Sequence, residues 1–342
     1  MKTYLMADPE KFVVSDQAIP DFGEQEVLIR VKNIGICGSD LHLYKGTYNG
    51  PKNYPMLFGH EWAGIVEKVG AEITDLQPGD KVTGDCSKYC GQCRTCEKDR
   101  NLCSSIEKYG ITTNGASAEY IVRPRMHCYK AQPDADLELL ALSEPIAVAK
   151  HLLERIQKQT GPLKEKRILI YGGGAIGQSA LLLLREWYGC EQVFLSDLVP
   201  YRLQLAKQLG AQIPSHGELD WEEPNDYFNM YNHTRFDVII ETTGVAPVFA
   251  NALNLLRPLG VLGCVGMIAK VELEQKLIVM KALTVIGSIG GTGEFEDVIH
   301  FVNTHKEQAT KLISHHMKIE DMQEGFRIAL DTQSAMKVVF EL

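Results

Sequence analysis

Four cysteines cluster in the first third of the chain, and their number and spacing suit a metal ion. Two, two and six residues separate them, and the first residues of the chain predict no secretory signal. Chains of a reducing compartment seldom concentrate thiols in this way unless the thiolates bind a metal. Four thiolates around one ion form a common tetrahedral Zn²⁺ site. The ligands predicted for this lobe, residues 86–104, are Cys90, Cys93, Cys96 and Cys103.

A second group of zinc-binding residue types is spread more widely along the chain. Cys37, His60 and Glu61 offer a thiolate, an imidazole and a carboxylate, and Glu144 adds a second carboxylate in an apolar segment. All three chemical types are zinc ligands. Taken singly, each also fits a structural role: a packed thiol, a buried histidine or a carboxylate at the start of a helix.

A glycine-rich loop occupies the centre of the chain. Gly172, Gly174 and Gly177 match the spacing G-x-G-x-x-G, with an apolar strand predicted at 167–171 and a helix at 178–188. In that context the first glycine permits a tight turn, the second lets the backbone approach a pyrophosphate, and the third lets the helix pack against the strand. The amide groups at the start of the helix then face the phosphates. The loop predicts a dinucleotide site that also includes Ala175 and Ile176.

A carboxylate follows this loop at the distance that such a site requires. Asp197 stands about 20 residues beyond the last glycine, at the end of a strand predicted at 192–196. An acidic side chain there accepts hydrogen bonds from the adenosine ribose and repels a 2′-phosphate. The sequence therefore predicts NAD rather than NADP as the cofactor.

The overall composition disfavours several classes of partner. A length of 342 residues predicts about two domains. The net charge of −9 and the pI of 5.6 disfavour binding to nucleic acid or to an anionic membrane surface. No apolar stretch is long enough to predict a membrane span. These properties predict a cytoplasmic protein with a small-molecule partner.

The pattern of predicted elements gives the fold class. The first third is β-rich, with short strands at 26–33, 64–69 and 80–83 between glycines and prolines, which predicts an antiparallel, barrel-like domain. In the first of these strands, Val27, Ile29 and Val31 alternate with Arg30 and Lys32, which predicts one buried face. The middle of the chain alternates strands with helices, which predicts a doubly wound parallel sheet. A polar and aromatic stretch at 217–234 predicts a surface excursion with some helix, and residues 335–340 predict a final strand.

Together these motifs resemble one family. The sequence Gly-Ile-Cys-Gly-Ser-Asp at 35–40, the sequence Gly-His-Glu at 59–61, the cysteine lobe and the glycine loop are similar, in type and order, to those of zinc-dependent medium-chain alcohol dehydrogenases. The polyol and sugar dehydrogenase branch is the most similar. The resemblance implies an α/β fold with a GroES-like antiparallel β-barrel catalytic domain and a Rossmann doubly wound parallel sheet. The implied segments are a catalytic domain at 1–147, a dinucleotide-binding domain at 148–287, and a return to the catalytic domain at 288–342.

The resemblance also implies two zinc ions. Cys37 and His60 match the ligands of a catalytic zinc ion. Glu61 matches a glutamate that binds this ion or lies just behind it, and Glu144 matches the alternative carboxylate, so that the two exchange during turnover. The four cysteines of the lobe match the ligands of a structural zinc ion.

The remaining implied roles concern the proton and the cofactor. Ser39 matches the hydroxyl that receives the substrate proton, and His42 matches a surface histidine that passes the proton to solvent. Arg202 lies where the family places a basic residue near the adenine. The glycine loop and Asp197 match the NAD site.

The activity implied by the resemblance is reversible hydride transfer from a secondary alcohol of a polyol, sugar or cyclitol to NAD. An amino-alcohol dehydrogenase of the L-threonine type and a catalytically idle, dinucleotide-binding relative are the alternatives. Relatives form dimers or tetramers, so we expect a homo-oligomer.

The chain also departs from the family pattern. Six residues lie between Cys96 and Cys103, where relatives usually have seven, and Cys86 just ahead of the lobe is a competing ligand for the structural ion. The segment 287–293 lacks the Phe-Arg-Tyr element of sorbitol dehydrogenases, and it also lacks the pattern expected of threonine dehydrogenases. Short sequences at 44–46 and 115–120 are more similar to the aminocyclitol dehydrogenases.

Overall fold

The computed structural model of the chain divides into two compact units. It describes residues 1–220, 226–232 and 234–342. One unit, here called the barrel unit, consists of Met1–Ala147 and Gly290–Leu342, and the other, the sheet unit, consists of Val148–Ile289. The catalytic and dinucleotide-binding roles that the sequence assigns to its segments stay predictions. Within the described residues, no helix combines the length and the apolar character needed to cross a bilayer.

Strands dominate the barrel unit, and strands and helices alternate in the sheet unit. The strands are β1 Lys2–Asp8, β2 Lys11–Asp16, β3 Glu26–Gly35, β4 Met56–Leu57, β5 Glu61–Val69, β6 Lys81–Gly84, β7 Ser87–Lys88, β8 Glu107–Lys108, β9 Tyr120–Pro124, β10 Cys128–Lys130, β11 Ile168–Tyr171, β12 Val193–Ser196, β13 Phe236–Glu241, β14 Leu256–Cys264, β15 Thr284–Gly287, β16 His315–Lys318 and β17 Val338–Glu341. The α-helices are α1 Gly38–Tyr44, α2 Leu137–Ala141, α3 Ser143–Thr160, α4 Ala175–Glu186, α5 Pro200–Gln208, α6 His216–Leu219, α7 Tyr227–Asn232, α8 Ala246–Leu255, α9 Gln275–Met280, α10 Phe295–Thr304, α11 Lys306–Thr310 and α12 Met322–Leu330.

The barrel unit is built mainly from antiparallel strands. Its largest sheet has the order β10-β6-β5-β3-β17-β16, and β9 pairs with β3 beside that path. The strands β16 and β17 pair in parallel, whereas β17 runs antiparallel to β3. Smaller sheets have the orders β2-β1-β4 and β7-β8. The last strand of the chain therefore lies beside a strand from its beginning, which brings distant parts of the sequence to one site.

Apolar side chains hold the barrel unit together. In β3 the predicted alternation is present, since Val27, Ile29 and Val31 are buried while Arg30 is exposed. A separate aromatic cluster packs helix α12 against the strands. Its rings, with centroids 5.0–6.4 Å apart, belong to Phe12, Tyr44, Phe58, Phe326 and Phe340. Burial of these apolar surfaces anchors the C-terminal segment in the barrel unit.

The sheet unit contains the predicted parallel sheet. Its five strands are all parallel and have the order β12-β11-β13-β14-β15. Each residue of β11 is buried, as expected for a central strand that is covered on both faces. The chain leaves β11 to one side and later returns on the other, so the loop after β11 lies at the topological switch point, where dinucleotides bind in such sheets.

Element ends differ from the sequence predictions in a few places. Helix α4 begins at Ala175 rather than at 178, because Gly174 is already its N-cap residue. Strand β17 begins at Val338, later than the predicted 335. The surface excursion predicted at 217–234 contains the short helix α7, and its residues 221–225 and 233 lie outside the described residues.

Candidate active site and metal centres

Three of the predicted zinc ligands meet in the barrel unit. The ligand atoms of Cys37, His60 and Glu61 all lie within 4.8 Å of one another. Cys37 is the N-cap residue of helix α1, and its backbone N–H donates to Asp40 Oδ2 at 2.9 Å. His60 and Glu61 stand at the start of β5, just after Gly59, whose φ of +80° favours glycine. The turn at Gly59 and the start of helix α1 thus bring the three side chains together.

Two charged groups lie directly behind these ligands. The carboxylate of Asp40 is fully buried, accepts a hydrogen bond from the N–H of Gly59, and lies 3.8 Å from His60 Nδ1. At this distance the carboxylate acts on the imidazole through its negative charge and not through a hydrogen bond. The ammonium group of Lys337, from the approach to β17, lies 2.6 Å from both carboxylate oxygens of Glu61.

A second set of donors shares His60 with the first. The ligand atoms of His60, Cys86 and Glu144 also lie within 4.8 Å of one another. Glu144 stands in the first turn of α3 and is buried, and this burial raises its pKa to about 7. The predicted alternative carboxylate therefore reaches the same cluster as Glu61, and each is grouped with His60.

The donor cluster fits a zinc ion in chemistry and in electrostatics. Thiolate, imidazole and carboxylate are the ligands that zinc prefers. Burial alone would lower the pKa of His60, but the Cys86, Asp40 and Cys37 groups around it raise that pKa well above 6.5. A site that favours a cation on its central imidazole also favours a bound metal cation. His60 Nδ1 is buried and has no hydrogen-bond partner among the described residues.

The predicted proton relay lies on helix α1, beside this cluster. Ser39 Oγ is 3.5 Å from His60 Nε2, so its hydroxyl borders the metal ligands. His42 stands three positions later on the same helix, is exposed, and has Nδ1 3.0 Å from Thr47 Oγ1. Residues three apart lie on the same helical face. Ser39 and His42 thus share one face of α1, on which Ser39 borders the cluster and His42 is exposed to solvent.

The four cysteines of the lobe converge as the sequence predicts. Their ligand atoms lie within 4.8 Å of one another, and four of the Sγ–Sγ separations are 3.4, 3.6, 3.9 and 4.0 Å. Sulfurs around one tetrahedral zinc ion lie about 3.8 Å apart, given a Zn–S bond of about 2.3 Å. The lobe fits a structural zinc ion despite its shorter spacing between Cys96 and Cys103.

Cys86 does not belong to this lobe. The sequence places it just ahead of the four cysteines, but the structure groups its sulfur with His60 and Glu144. Cys86 lies at a bend between β6 and β7, whereas the lobe begins at Cys90, after β7. Its predicted part as a competing ligand for the structural ion is therefore wrong.

In the sheet unit, the three glycines of the loop have three different environments. Gly172 has a φ of +96°. A Cβ atom on Gly177 would lie 1.8 Å from the carbonyl oxygen of Gly172, so no other residue fits there. A Cβ on Gly174, the N-cap of α4, would meet no atom within 4 Å. The loop thus has a strained turn, a tightly packed contact and an open face, as a pyrophosphate site requires.

Asp197 and Arg202 form a pair at this loop. Asp197 Oδ2 accepts the N–H of Gly173 at 2.6 Å and lies 3.6 Å from Arg202 Nη1. Its other oxygen accepts the N–H of Val199 at 2.8 Å. The carboxylate is therefore fixed beside the loop, and the guanidinium group of Arg202 is held next to it. Ala175 and Ile176 form the first turn of α4.

Comparisons with known proteins identify the family. Residues 23–133 match the family model described as alcohol dehydrogenase GroES-like domain, and residues 175–304 match the one described as zinc-binding dehydrogenase. The L-threonine 3-dehydrogenase of Deinococcus radiodurans is 31% identical over 331 residues, covering 94% of this chain and 92% of the relative. The chain belongs to the zinc-dependent medium-chain dehydrogenase family.

Solved structures of similar proteins share the fold of this medium-chain dehydrogenase. Galactitol-1-phosphate dehydrogenase from Escherichia coli has a TM-score of 0.86 and 27% identity, with 99% of each chain covered. A zinc-binding dehydrogenase from Sinorhizobium meliloti 1021, solved with NADP bound, has a TM-score of 0.86 and 27% identity, covering 100% of this chain and 99% of its own. The predicted GroES-like and Rossmann fold is confirmed. The chain is a dehydrogenase that uses zinc and a nicotinamide cofactor.

Sequence reasoning alone missed two features of this medium-chain dehydrogenase site. Lys337 is a lysine within an apolar stretch that predicts a buried strand, and that mismatch was the signal for a buried ion pair. No comparable signal indicated that Cys86 lies near His60, because its position in the sequence favoured the cysteine lobe instead.

Proposed function

We propose that the chain is an NAD-dependent dehydrogenase that oxidises a secondary alcohol of a polyol, sugar or cyclitol, and that also runs in reverse. The observation that carries this proposal is that two donor groups, one with Cys37 and Glu61 and one with Glu144, share His60 next to a serine hydroxyl. A purely structural zinc site is closed by four protein ligands and has no need of a neighbouring hydroxyl.

The chemistry needs one cation and one hydride acceptor. Zinc supplies a Lewis acid that stabilises negative charge on the substrate oxygen, and the nicotinamide accepts the hydride. Cys37 and His60 would hold the ion, and Glu61 and Glu144 are its carboxylate partners. The buried negative charge of Asp40 lies beside the imidazole of His60. Burial of His60 and of the carboxylates strengthens the electrostatic contacts that act on the reacting oxygen.

Ser39 and His42 carry the proton. Ser39 Oγ lies 3.5 Å from His60 Nε2, so its hydroxyl borders the cluster. His42 is exposed one helical turn further on, where its imidazole is in contact with solvent. Ser39 therefore takes the hydroxyl proton of the substrate, and His42 releases it to solvent.

The cofactor preference follows from the charge beside the glycine loop. Asp197 presents a carboxylate where the adenosine ribose binds in this fold, and a 2′-phosphate there would meet its negative charge. Arg202 is paired with that carboxylate, so its positive charge is balanced. This arrangement favours NAD.

The relatives support a substrate with several hydroxyl groups, and they also favour a second candidate. The chain is similar in structure to galactitol-1-phosphate dehydrogenase. Its similarity in sequence to L-threonine 3-dehydrogenase favours an amino alcohol as the second candidate. An idle, dinucleotide-binding relative has no use for the hydroxyl of Ser39 beside buried metal ligands.

A substrate panel tests the proposal. Polyols, inositols, sugar phosphates and amino alcohols are each mixed with the zinc-loaded protein and NAD, and NADH absorbance is followed. We expect turnover with a polyhydroxy substrate. Cys37→Ser should lower kcat/KM about a thousandfold, because zinc contributes several kcal/mol of charge stabilisation. Cys128→Ala, which removes a thiol from the apolar core, is the control. Turnover confined to threonine would favour the second candidate, and a fully active Cys37→Ser protein would contradict both.

A further inference from the structure

Cys86 lies in the donor cluster of the barrel unit, although its sequence position is just ahead of the cysteine lobe. We propose that Cys86 is a second thiolate ligand of the zinc ion that Cys37 and His60 hold. This inference rests on the proposed function, because it requires that ion.

The donor atoms of Cys86 and its neighbours are close enough to share an ion. Cys86 Sγ, a nitrogen of His60 and an oxygen of Glu144 lie within 4.8 Å of one another. Donor atoms on one tetrahedral zinc ion lie about 3.3–3.8 Å apart, given bond lengths of about 2.0–2.3 Å. Small side-chain movements are therefore enough to bring Cys86 and His60 onto one ion.

The backbone on either side of Cys86 fixes where its thiol lies. The carbonyl oxygen of Cys86 accepts the N–H of Tyr109 at 2.9 Å. The preceding residue, Asp85, donates its N–H to the carbonyl of His127 at 3.2 Å. The following residue, Ser87, donates its N–H to Asp85 Oδ1 at 2.8 Å. With both neighbours held, rotation about the Cα–Cβ bond is the main freedom left to the thiol, which is the preorganisation a metal ligand needs.

Another buried cysteine of the barrel unit has different surroundings from those of Cys86. Cys128 is also buried, but it belongs to the apolar cluster around Val27 and Ile29. Cys86 instead has an imidazole and a carboxylate within 4.8 Å. A packed thiol gains nothing from such polar neighbours, whereas a ligand shares an ion with them.

A second thiolate also balances the charge of the site. With the ion bound, Cys37 and Cys86 would both be thiolates, and their two negative charges would neutralise Zn²⁺. With the imidazole of His60, they make three protein ligands and leave one tetrahedral position for a substrate oxygen or a carboxylate. Glu144 is then an exchangeable neighbour rather than a permanent ligand.

Cadmium-113 NMR of the full chain tests this inference without using activity. The protein is loaded with ¹¹³Cd²⁺ at both sites, since the cadmium shift moves downfield with each bound sulfur. Cys93→Ser identifies the resonance of the lobe. We expect Cys86→Ser to move only the other resonance upfield, by an amount similar to that of Cys37→Ser, while Cys128→Ala moves neither. Chelator competition should show at least about tenfold weaker metal binding at this site in Cys86→Ser, because loss of a ligand costs at least as much as loss of an outer hydrogen-bond partner.

The outcomes separate this inference from the proposed function. If Cys37→Ser moves the second resonance and Cys86→Ser leaves it in place, Cys86 is not a ligand and the proposed function stands. If the folded wild-type chain binds cadmium only at the lobe, both are wrong. Circular dichroism verifies that each variant is folded, and Cys86→Ala provides a second variant should Cys86→Ser fold poorly.

Discussion

Lys337 donates hydrogen bonds to both carboxylate oxygens of Glu61, at 2.6 Å from each, and to the carbonyl of Ile36 at 2.9 Å. Both charged side chains are almost fully buried. Burial alone would lower the pKa of Lys337, but Glu61 and the neighbouring anionic groups raise it above its ordinary value. The pairing of β17 with β3 is what brings the end of the chain to this metal-ligand candidate.

Removing Lys337 should destabilise the barrel unit strongly. Lys337→Met leaves the Glu61 carboxylate buried without its partner, and losses of this kind are about 3–5 kcal/mol in the free energy of unfolding. Urea unfolding of the zinc-loaded protein measures the loss. The control is Lys318→Met, which breaks the exposed pair with Glu341 and should cost less than about 1 kcal/mol. Equal losses in the two variants would show that the buried pair contributes no more to the free energy of unfolding than the exposed pair does.

The cofactor preference should depend on Asp197. Asp197→Ser removes the carboxylate and frees Arg202, which is then available to a 2′-phosphate. We expect the ratio of kcat/KM for NAD to that for NADP to fall at least about tenfold, or 1.4 kcal/mol. Adding Arg202→Ala to this variant should reduce the gain with NADP. An unchanged ratio in Asp197→Ser would mean that other groups set the preference.

The glycines of the loop should separate folding from cofactor binding. In Gly177→Ala the new Cβ would lie 1.8 Å from the Gly172 carbonyl oxygen, so we expect a loss of about 1–3 kcal/mol in the free energy of unfolding. In Gly174→Ala the new Cβ meets no atom, so stability should hold, while NADH binds about tenfold more weakly because the methyl group occupies the open face. Thermal unfolding and NADH fluorescence titration measure the two effects. Normal NADH binding by Gly174→Ala would contradict a pyrophosphate at this face.

Acid should destabilise the barrel unit through His127. Its Nε2 donates to the carbonyl of Tyr89 at 3.2 Å, Nδ1 accepts from the hydroxyl of Tyr109 at 3.1 Å, and burial lowers its pKa to about 4. Because the folded pKa lies below that of the unfolded chain, about 6.5, the stabilisation is complete above pH 6.5 and is lost as the pH falls towards 4. Arg123, which is also buried, adds to the preference for a neutral imidazole.

A comparison of wild type with His127→Gln isolates this contribution. Between pH 7.5 and pH 5, the wild type should lose about 2 kcal/mol more of its free energy of unfolding than the variant does. Urea unfolding at the two pH values gives both numbers, and titration of the carboxylates cancels in the difference. Parallel loss in the two proteins would show that His127 is not protonated on unfolding.

The sequence was sufficient for features that depend on local spacing. The glycine loop, Asp197 and the four cysteines each lie within a short stretch, and a turn, a strand end or a tetrahedral ion requires that spacing whatever the rest of the chain does. The alternation in β3 predicted its buried face for the same reason. Element ends were less predictable, because a cap such as Gly174 depends on backbone geometry rather than on periodicity.

Features that depend on distant pairing were beyond sequence reasoning. The contact between Lys337 and Glu61 exists because β17 pairs with β3, and nothing local to either residue specifies that pairing. Cys86 shows the opposite problem, since it is close in sequence to one metal centre and close in space to another.

The central claim is that a zinc ion held by Cys37 and His60 activates the substrate beside a bound nicotinamide. The most direct test is removal of the metal from the purified, folded protein with a chelator, followed by measurement of NADH formation before and after stoichiometric Zn²⁺ is added back. We predict that activity disappears with the metal and returns with it in the wild type, but does not return in Cys37→Ser. Full activity of the chelated protein, verified to hold no divalent ion, would contradict the claim.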